Sequence, residues 1–281
     1  MASADLPRRV GIVGLGLMGG SVARALKTLD PPPRVVAFTR DASDAQTAVR
    51  EGIIDQIAGD PAEAVVDQDL VVYATPLGVA VDLMATHAEL LGNALITDVV
   101  GLKVPLLEQA REGGFADRYV GAHPMVGGTG SGLAASTHGL FVDRTVWMVA
   151  GDASGDRVES VENVWRSFGA RTRAITAEEH DRSMVWASHL PQLLATALAR
   201  VLAAQGLQAG DLGAGGLEMT RLAMSSSEMW SDLFDVSAAS NALALGALQE
   251  ELALMQSALE HGSGEVVGDL MDQIRGWRED A

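Results

Sequence analysis

Gly14-Leu15-Gly16-Leu17-Met18-Gly19 follows a short apolar run and opens a helical pattern. Glycine at 14 permits a tight turn, glycine at 16 lets backbone approach a pyrophosphate, and glycine at 19 lets the helix lie close to the strand. The helix N-terminus then offers free N–H groups to the anion, which is the chemistry of dinucleotide binding. About 20 residues further on, a carboxylate would hold the 2′-hydroxyl of NAD. Thr39 and Arg40 stand there instead, followed by Asp41. A guanidinium suits the 2′-phosphate of NADP, so NADP is favoured over NAD. The alternative for Arg40 is a solvated loop residue. A second group lies in YVGAHPMVGGTGSG, residues 119–132, where His123 sits in a stretch rich in glycine and proline. Further along, His189 and Gln192 are three apart and share a helix face. His180 lies nine residues before His189, on the opposite face at about 100° per residue, where a surface position at a helix start is the plain reading. Arg221, flanked by apolar residues, needs an anion partner, either a structural glutamate or a ligand carboxylate.

The elements that must position these groups fall into two kinds. Apolar runs at 10–13, 34–38, 69–74, 94–97, 119–122, 144–150 and 170–175 read as strands, with a helix at about 156–168 between the last two. Ligands of open α/β sheets bind beyond the carboxyl ends of strands, so Thr75, Pro76 and Asp98 are expected to face the cofactor and His123 to lie just past its strand. From Thr176 the strand signal stops. Helices are expected at about 177–205, 211–224, 228–234, 236–261 and 264–278, the first N-capped by Thr176 and kinked at Pro191. The expectation is an α/β dinucleotide-binding domain, residues 1–175, followed by an all-α domain, residues 176–281.

Composition limits the alternatives. The net charge of -17 opposes phosphate backbones and anionic lipids, which argues against nucleic-acid and membrane partners. The chain has no cysteine, which excludes thiol catalysis and disulfides. No metal site is expected. The opening residues lack the apolar core of a signal peptide, and no apolar run is long enough to span a bilayer, so a cytoplasmic protein is expected.

Taken together, GLGLMG, Gly121-Ala122-His123-Pro124-Met125 with the trailing Gly127 and Gly132, His180-Asp181 followed by Ser188-His189-Leu190-Pro191, and Thr220-Arg221 followed by Met229-Trp230 resemble the prephenate/arogenate dehydrogenase family of tyrosine biosynthesis. The resemblance implies a Rossmann domain with a helical dimerisation domain, and hence a homodimer. It implies His123 as the catalytic base and Arg221 as the binder of a substrate carboxylate, with His189, Gln192, Thr129 and Gly101 around the substrate. Three positions differ from the pattern: Gly101 stands where a serine is common, Thr129 where an acidic residue is common, and Gln192 where a second histidine follows SHLP. The substrate is therefore left as prephenate or arogenate. A modified prephenate, or a non-catalytic NAD(P)-binding sensor, is the alternative.

Overall fold

The computed structural model describes residues 6–126 and 130–279. The first half alternates strands and helices: β1 (Arg9–Val13), α1 (Leu17–Leu26), β2 (Arg34–Phe38), α2 (Ala42–Arg50), β3 (Gln56–Ile57), β4 (Leu70–Tyr73), α3 (Leu77–His87), β5 (Leu95–Asp98), α4 (Val104–Glu112), β6 (Gly121–Pro124), β7 (Thr145–Val149), α5 (Gly155–Ser167) and β8 (Arg171–Ala174). Five strands pair in parallel in the order β3-β2-β1-β4-β5. Their continuous apolar character is what a sheet covered on both faces requires. Val22, Leu26, Val161 and Trp165 of α1 and α5 pack into one core, and Leu77, Met84, Leu106 and Leu107 of α3 and α4 into another. A parallel bridge between Ile96 and Tyr119, with Thr97 Oγ1 donating to the Val120 carbonyl at 2.7 Å, carries the sheet on to β6. β6 pairs antiparallel with β7, and β7 pairs parallel with β8.

His123 is not past the end of its strand. It lies within β6, opposite Trp147 on β7. The proline that follows it lacks only a donor, and the carbonyl side of the strand continues through it.

The second half is helical: α6 (Ala177–Met184), α7 (Leu190–Ala204), α8 (Ala214–Thr220), α9 (Ser227–Val236), α10 (Ala238–Glu260) and α11 (Gly264–Glu279). Thr176 caps α6 as expected, with its hydroxyl accepting from the Glu179 N–H at 3.2 Å in a capping box. The kink expected near Pro191 takes a specific form. A π-turn, Val185–His189, separates α6 from α7. Proline at 191 cannot bond the carbonyl of Ala187, and a wider turn re-pairs the backbone ahead of it. Much apolar surface stays uncovered on the outer helices, including Leu243, Leu259, Ile274 and Trp277. Among the described residues, no helix is long and apolar enough to cross a membrane.

The turn from β1 to α1 uses its glycines differently. Gly14 has φ of +105°, and a Cβ there would stand 2.5 Å from the Ala74 carbonyl oxygen. A Cβ at Gly19 would stand 1.8 Å from the Gly14 carbonyl oxygen, whereas one at Gly16 meets no atom within 4 Å. Gly19→Ala should therefore lower stability by about 1–3 kcal/mol through overpacking. Gly16→Ala should melt close to the parent yet bind dinucleotide more weakly. Thermal melts with and without NADP check the contrast; equal melting of the two variants contradicts it.

Candidate active site

The carboxyl ends of β1, β2 and β4 form one edge of the sheet, and α1 begins there. Gly16 caps α1 without a side-chain partner, and no acidic residue occupies its first turn. The N–H groups of Leu17, Met18 and Gly19 precede the helix's first backbone bond, from Gly20 N to Gly16 O at 2.9 Å. Such a terminus suits an anion, and the open space at Gly16 lets one approach. Beyond β2, the Asp41 carboxylate accepts from Ser43 N at 2.8 Å and Asp44 N at 3.0 Å, so it is turned into the α2 cap. Arg40 is exposed and reaches Glu228 of α9 at 3.4 Å. Beyond β4, Pro76 caps α3, and the buried Thr75 hydroxyl has no hydrogen-bond partner among the described residues.

Asp98 is placed differently from the expectation that it faces a cofactor. Its side chain is fully buried. One oxygen accepts from Val100 N at 2.7 Å and pairs with the Lys103 ammonium; the other accepts from Tyr119 Oη at 2.6 Å. Fully buried and held by these partners, the carboxylate is closed off from a dinucleotide. Lys103, also fully buried, donates to the Ala122 carbonyl at 2.7 Å, directly before His123. Burial lowers the Lys103 ammonium from its ordinary range, while Asp98 and Asp181 oppose that shift. Burial and the Asp98 charge raise the Tyr119 phenol, which keeps it a donor.

His123 Nδ1 lies 2.9 Å from His180 Nε2, and His180 Nδ1 lies 2.8 Å from Asp181 Oδ1. Asp181 in turn accepts the backbone N–H of Lys103 at 2.7 Å and of Val104 at 2.9 Å, at the start of α4. His123 Nε2 takes no partner among the described residues, and the residue as a whole is half-buried. Removal from water, first, and then the Lys103 charge hold His123 well below the ordinary histidine range, and a proton on His180 or His189 would add to that. A neutral imidazole with one bare nitrogen is a proton acceptor near neutral pH.

His189 is buried in the π-turn. Its Nδ1–H donates to Asn241 Oδ1 at 3.2 Å, with Ser237 Oγ also at 3.2 Å, and its ring meets Trp230 and Phe234 edge-on. Gln192 is buried too. Its Nε2 donates to the Leu222 carbonyl at 2.9 Å, which leaves Oε1 as a buried acceptor without a partner among the described residues. Arg221, next to Leu222 in a 3₁₀ turn (Arg221–Met224), is exposed and forms no ion pair among the described residues. Gly101 abuts Leu233 of α9. Thr129 and Gly127 lie outside the described residues. Sequence reasoning gave no site role to Lys103 or Asn241, nor to His180 and Asp181, although that pair helped carry the resemblance. A regular helix puts His180 and His189 on opposite faces, but the π-turn inserts a residue and moves the later one by about 100°. Both histidines then bear on His123.

Comparisons with known proteins follow the same division. Residues 22–174 match the family model described as prephenate dehydrogenase, nucleotide-binding domain, and residues 176–273 match that described as prephenate dehydrogenase, dimerization domain. The chain is 31% identical over 235 residues to a prephenate dehydrogenase of Bacillus subtilis, covering 79% of this chain but only 62% of the relative's length. It is 26% identical over 236 residues to a cyclohexadienyl dehydrogenase of Zymomonas mobilis, covering 80% of each. The fold is that of an Aquifex aeolicus prephenate dehydrogenase crystallised with hydroxyphenyl propionate and NAD+, with a TM-score of 0.88 at 24% identity over 100% of this chain and 99% of that one. With both halves matched in order, and with the glycine turn and His123 seated at one edge of the sheet, the chain belongs to the prephenate dehydrogenase family.

Proposed function

We propose that this protein oxidises and decarboxylates arogenate or prephenate in tyrosine biosynthesis, with NADP favoured over NAD as hydride acceptor. The observation that carries this reading is His123. It sits near the carboxyl end of β6, which runs parallel to β5, so it shares a sheet edge with the glycine turn. Its Nε2 is without a partner among the described residues.

When bound, the oxidised nicotinamide supplies the hydride acceptor for the ring carbon that bears the hydroxyl. His123 Nε2 takes the hydroxyl proton. As that carbon becomes a carbonyl, the bond to the ring carboxylate breaks, its electron pair enters the ring, and carbon dioxide leaves an aromatic product. Arg221 offers its guanidinium, without an ion pair among the described residues, to a substrate carboxylate, and His189, Gln192 and Gly101 line the substrate. Residues 14–19 with Thr39, Arg40, Thr75 and Pro76 hold the dinucleotide. The unpartnered Gln192 Oε1 leans the substrate towards arogenate. A buried acceptor left open costs about 1–3 kcal/mol, and an ammonium would fill it where a ketone would not. The uncovered apolar face of the helical half suits a second copy of the chain, and we place the boundary between the two units at residues 175 and 176.

Reduced nicotinamide should form when either substrate is supplied with NADP, with arogenate giving the higher kcat/KM. Absence of turnover with both substrates and both cofactors, from protein that still binds dinucleotide, contradicts the reading. His123→Asn should keep dinucleotide binding and lower kcat by roughly 10²- to 10⁴-fold, the usual worth of a general base. An unchanged kcat removes His123 from the chemistry.

Arg40 tests the cofactor separately. Its exposed contact with Glu228 is worth little, so the guanidinium can turn to a 2′-phosphate. Arg40→Ala should raise the KM for NADP by about tenfold or more, from the loss of charge-assisted hydrogen bonds, and leave that for NAD nearly unchanged. Equal effects on the two cofactors rule out the 2′-phosphate assignment.

A further inference from the structure

His123 carries two ring nitrogens, and only an unprotonated one can accept a proton. Which nitrogen is bare depends on the partner of the other. The partner is His180, whose own far nitrogen meets Asp181. The hydrogen-bond chemistry can be followed from the Asp181 end. A carboxylate has acceptors and no donor. Both Asp181 oxygens already accept backbone N–H groups at the start of α4, which fixes the carboxylate in place. His180 Nδ1 must therefore be the donor towards Asp181. The other nitrogen of a neutral His180, Nε2, is then an acceptor. His123 Nδ1 must be the donor towards it, and His123 Nε2 is left bare.

We propose that Asp181 and His180 are positioning residues that hold His123 in the Nδ1–H tautomer and thereby make Nε2 the proton-accepting nitrogen. The proposal rests on the reading of His123 as the base. It adds two residues that touch neither substrate nor cofactor. It also adds a dependence of one half of the chain on the other, since His123 belongs to β6 and its partners to α6. The fully buried His180 ring leaves the link no room to swing, and the Asp181 carboxylate is mostly covered. During the reaction one proton moves, from the substrate hydroxyl to Nε2. The Nδ1 proton stays on His123. Asp181 keeps both backbone donors throughout, so its part is to orient and not to take up the proton, the division of labour seen when a carboxylate aligns a catalytic imidazole.

The test is nitrogen-15 NMR of the histidine rings in the full chain, with the His123 signals identified by their loss in His123→Asn. At a pH where the ring is neutral, Nδ1 should be protonated and Nε2 bare. Asp181→Asn puts a donor beside His180 and removes one acceptor. It should move His123 towards the Nε2–H tautomer and lower kcat by about 10²- to 10⁴-fold, with the dinucleotide KM little changed. Asp181→Glu should recover part of both signals. A wild-type His123 that carries its proton on Nε2 overturns the proposal. So does an Asp181→Asn protein with the parent's tautomer and kcat. Should Asp181→Asn fail to fold, the wild-type spectrum decides alone. Should the parent turn over neither substrate, the dehydrogenase reading falls while the tautomer still judges the relay.

Discussion

Lys103 carries an ammonium into a region that water does not reach, and the arrangement around His123 depends on how that charge is met. Removing such an ion from water costs several kcal/mol, which is recovered only with close partners of good geometry. Here the partners are the Asp98 carboxylate at the end of β5 and the Ala122 carbonyl on β6. Asp98 is itself fixed by the Tyr119 hydroxyl and the Val100 N–H. One cation thus joins the last strand of the parallel sheet, the approach to α4, and the strand that carries the His123 imidazole. The same charge disfavours a second cation next to it, which helps keep His123 neutral. The buried pair fixes the position of His123, and its cation adds to the desolvation that keeps the ring neutral.

The site is completed only where the two halves meet. The backbone of Lys103 and Val104 fixes Asp181, and through it His180 and His123. Asp232 of α9 accepts from Gly78 N at 3.1 Å, at the start of α3, so a carboxylate from the helical half occupies a helix N-terminus of the sheet half. Leu233 of the same helix packs against Gly101. The π-turn gives the helical half its own contribution, because it turns His189 away from the phase that a regular helix would impose. A wider turn beside a proline is a place where backbone irregularity and function coincide.

Much of this was legible in the residues. The glycine turn announced itself through its setting between an apolar run and a helical pattern, and β2 was read at its observed bounds because apolar residues there end sharply at Thr39. The helices after Thr176 followed from capping and periodicity. What escaped had a physical reason in each case. Asp98 reads as a ligand-facing strand end, since sequence does not reveal that a lysine five residues later folds back onto it. Lys103 carries no mark of burial, because lysine is almost always outside. His180 was dismissed by a sound rule about helix phase that one inserted residue defeats. His123 was placed a residue or two late, since the proline after it reads as a strand terminator although the strand runs through it. Arg221 was left open between a structural and a ligand partner, and it is exposed with no ion pair among the described residues.

The account stands on a neutral His123 held beside a buried cation, and its titration tests that directly. The groups that bear on the ring are Lys103 before α4, His180 and Asp181 on α6, and His189 in the π-turn. Desolvation is the largest influence against the imidazolium, and the Lys103 charge adds to it. A depressed value leaves the base neutral above it, so the acid limb of kcat/KM should fall off only below the ordinary histidine midpoint of about 6.5. The measurement is the NMR titration of the His123 ring in the full chain. The account predicts a midpoint clearly below that ordinary value. A midpoint at or above it would mean that the buried cation does not govern the base.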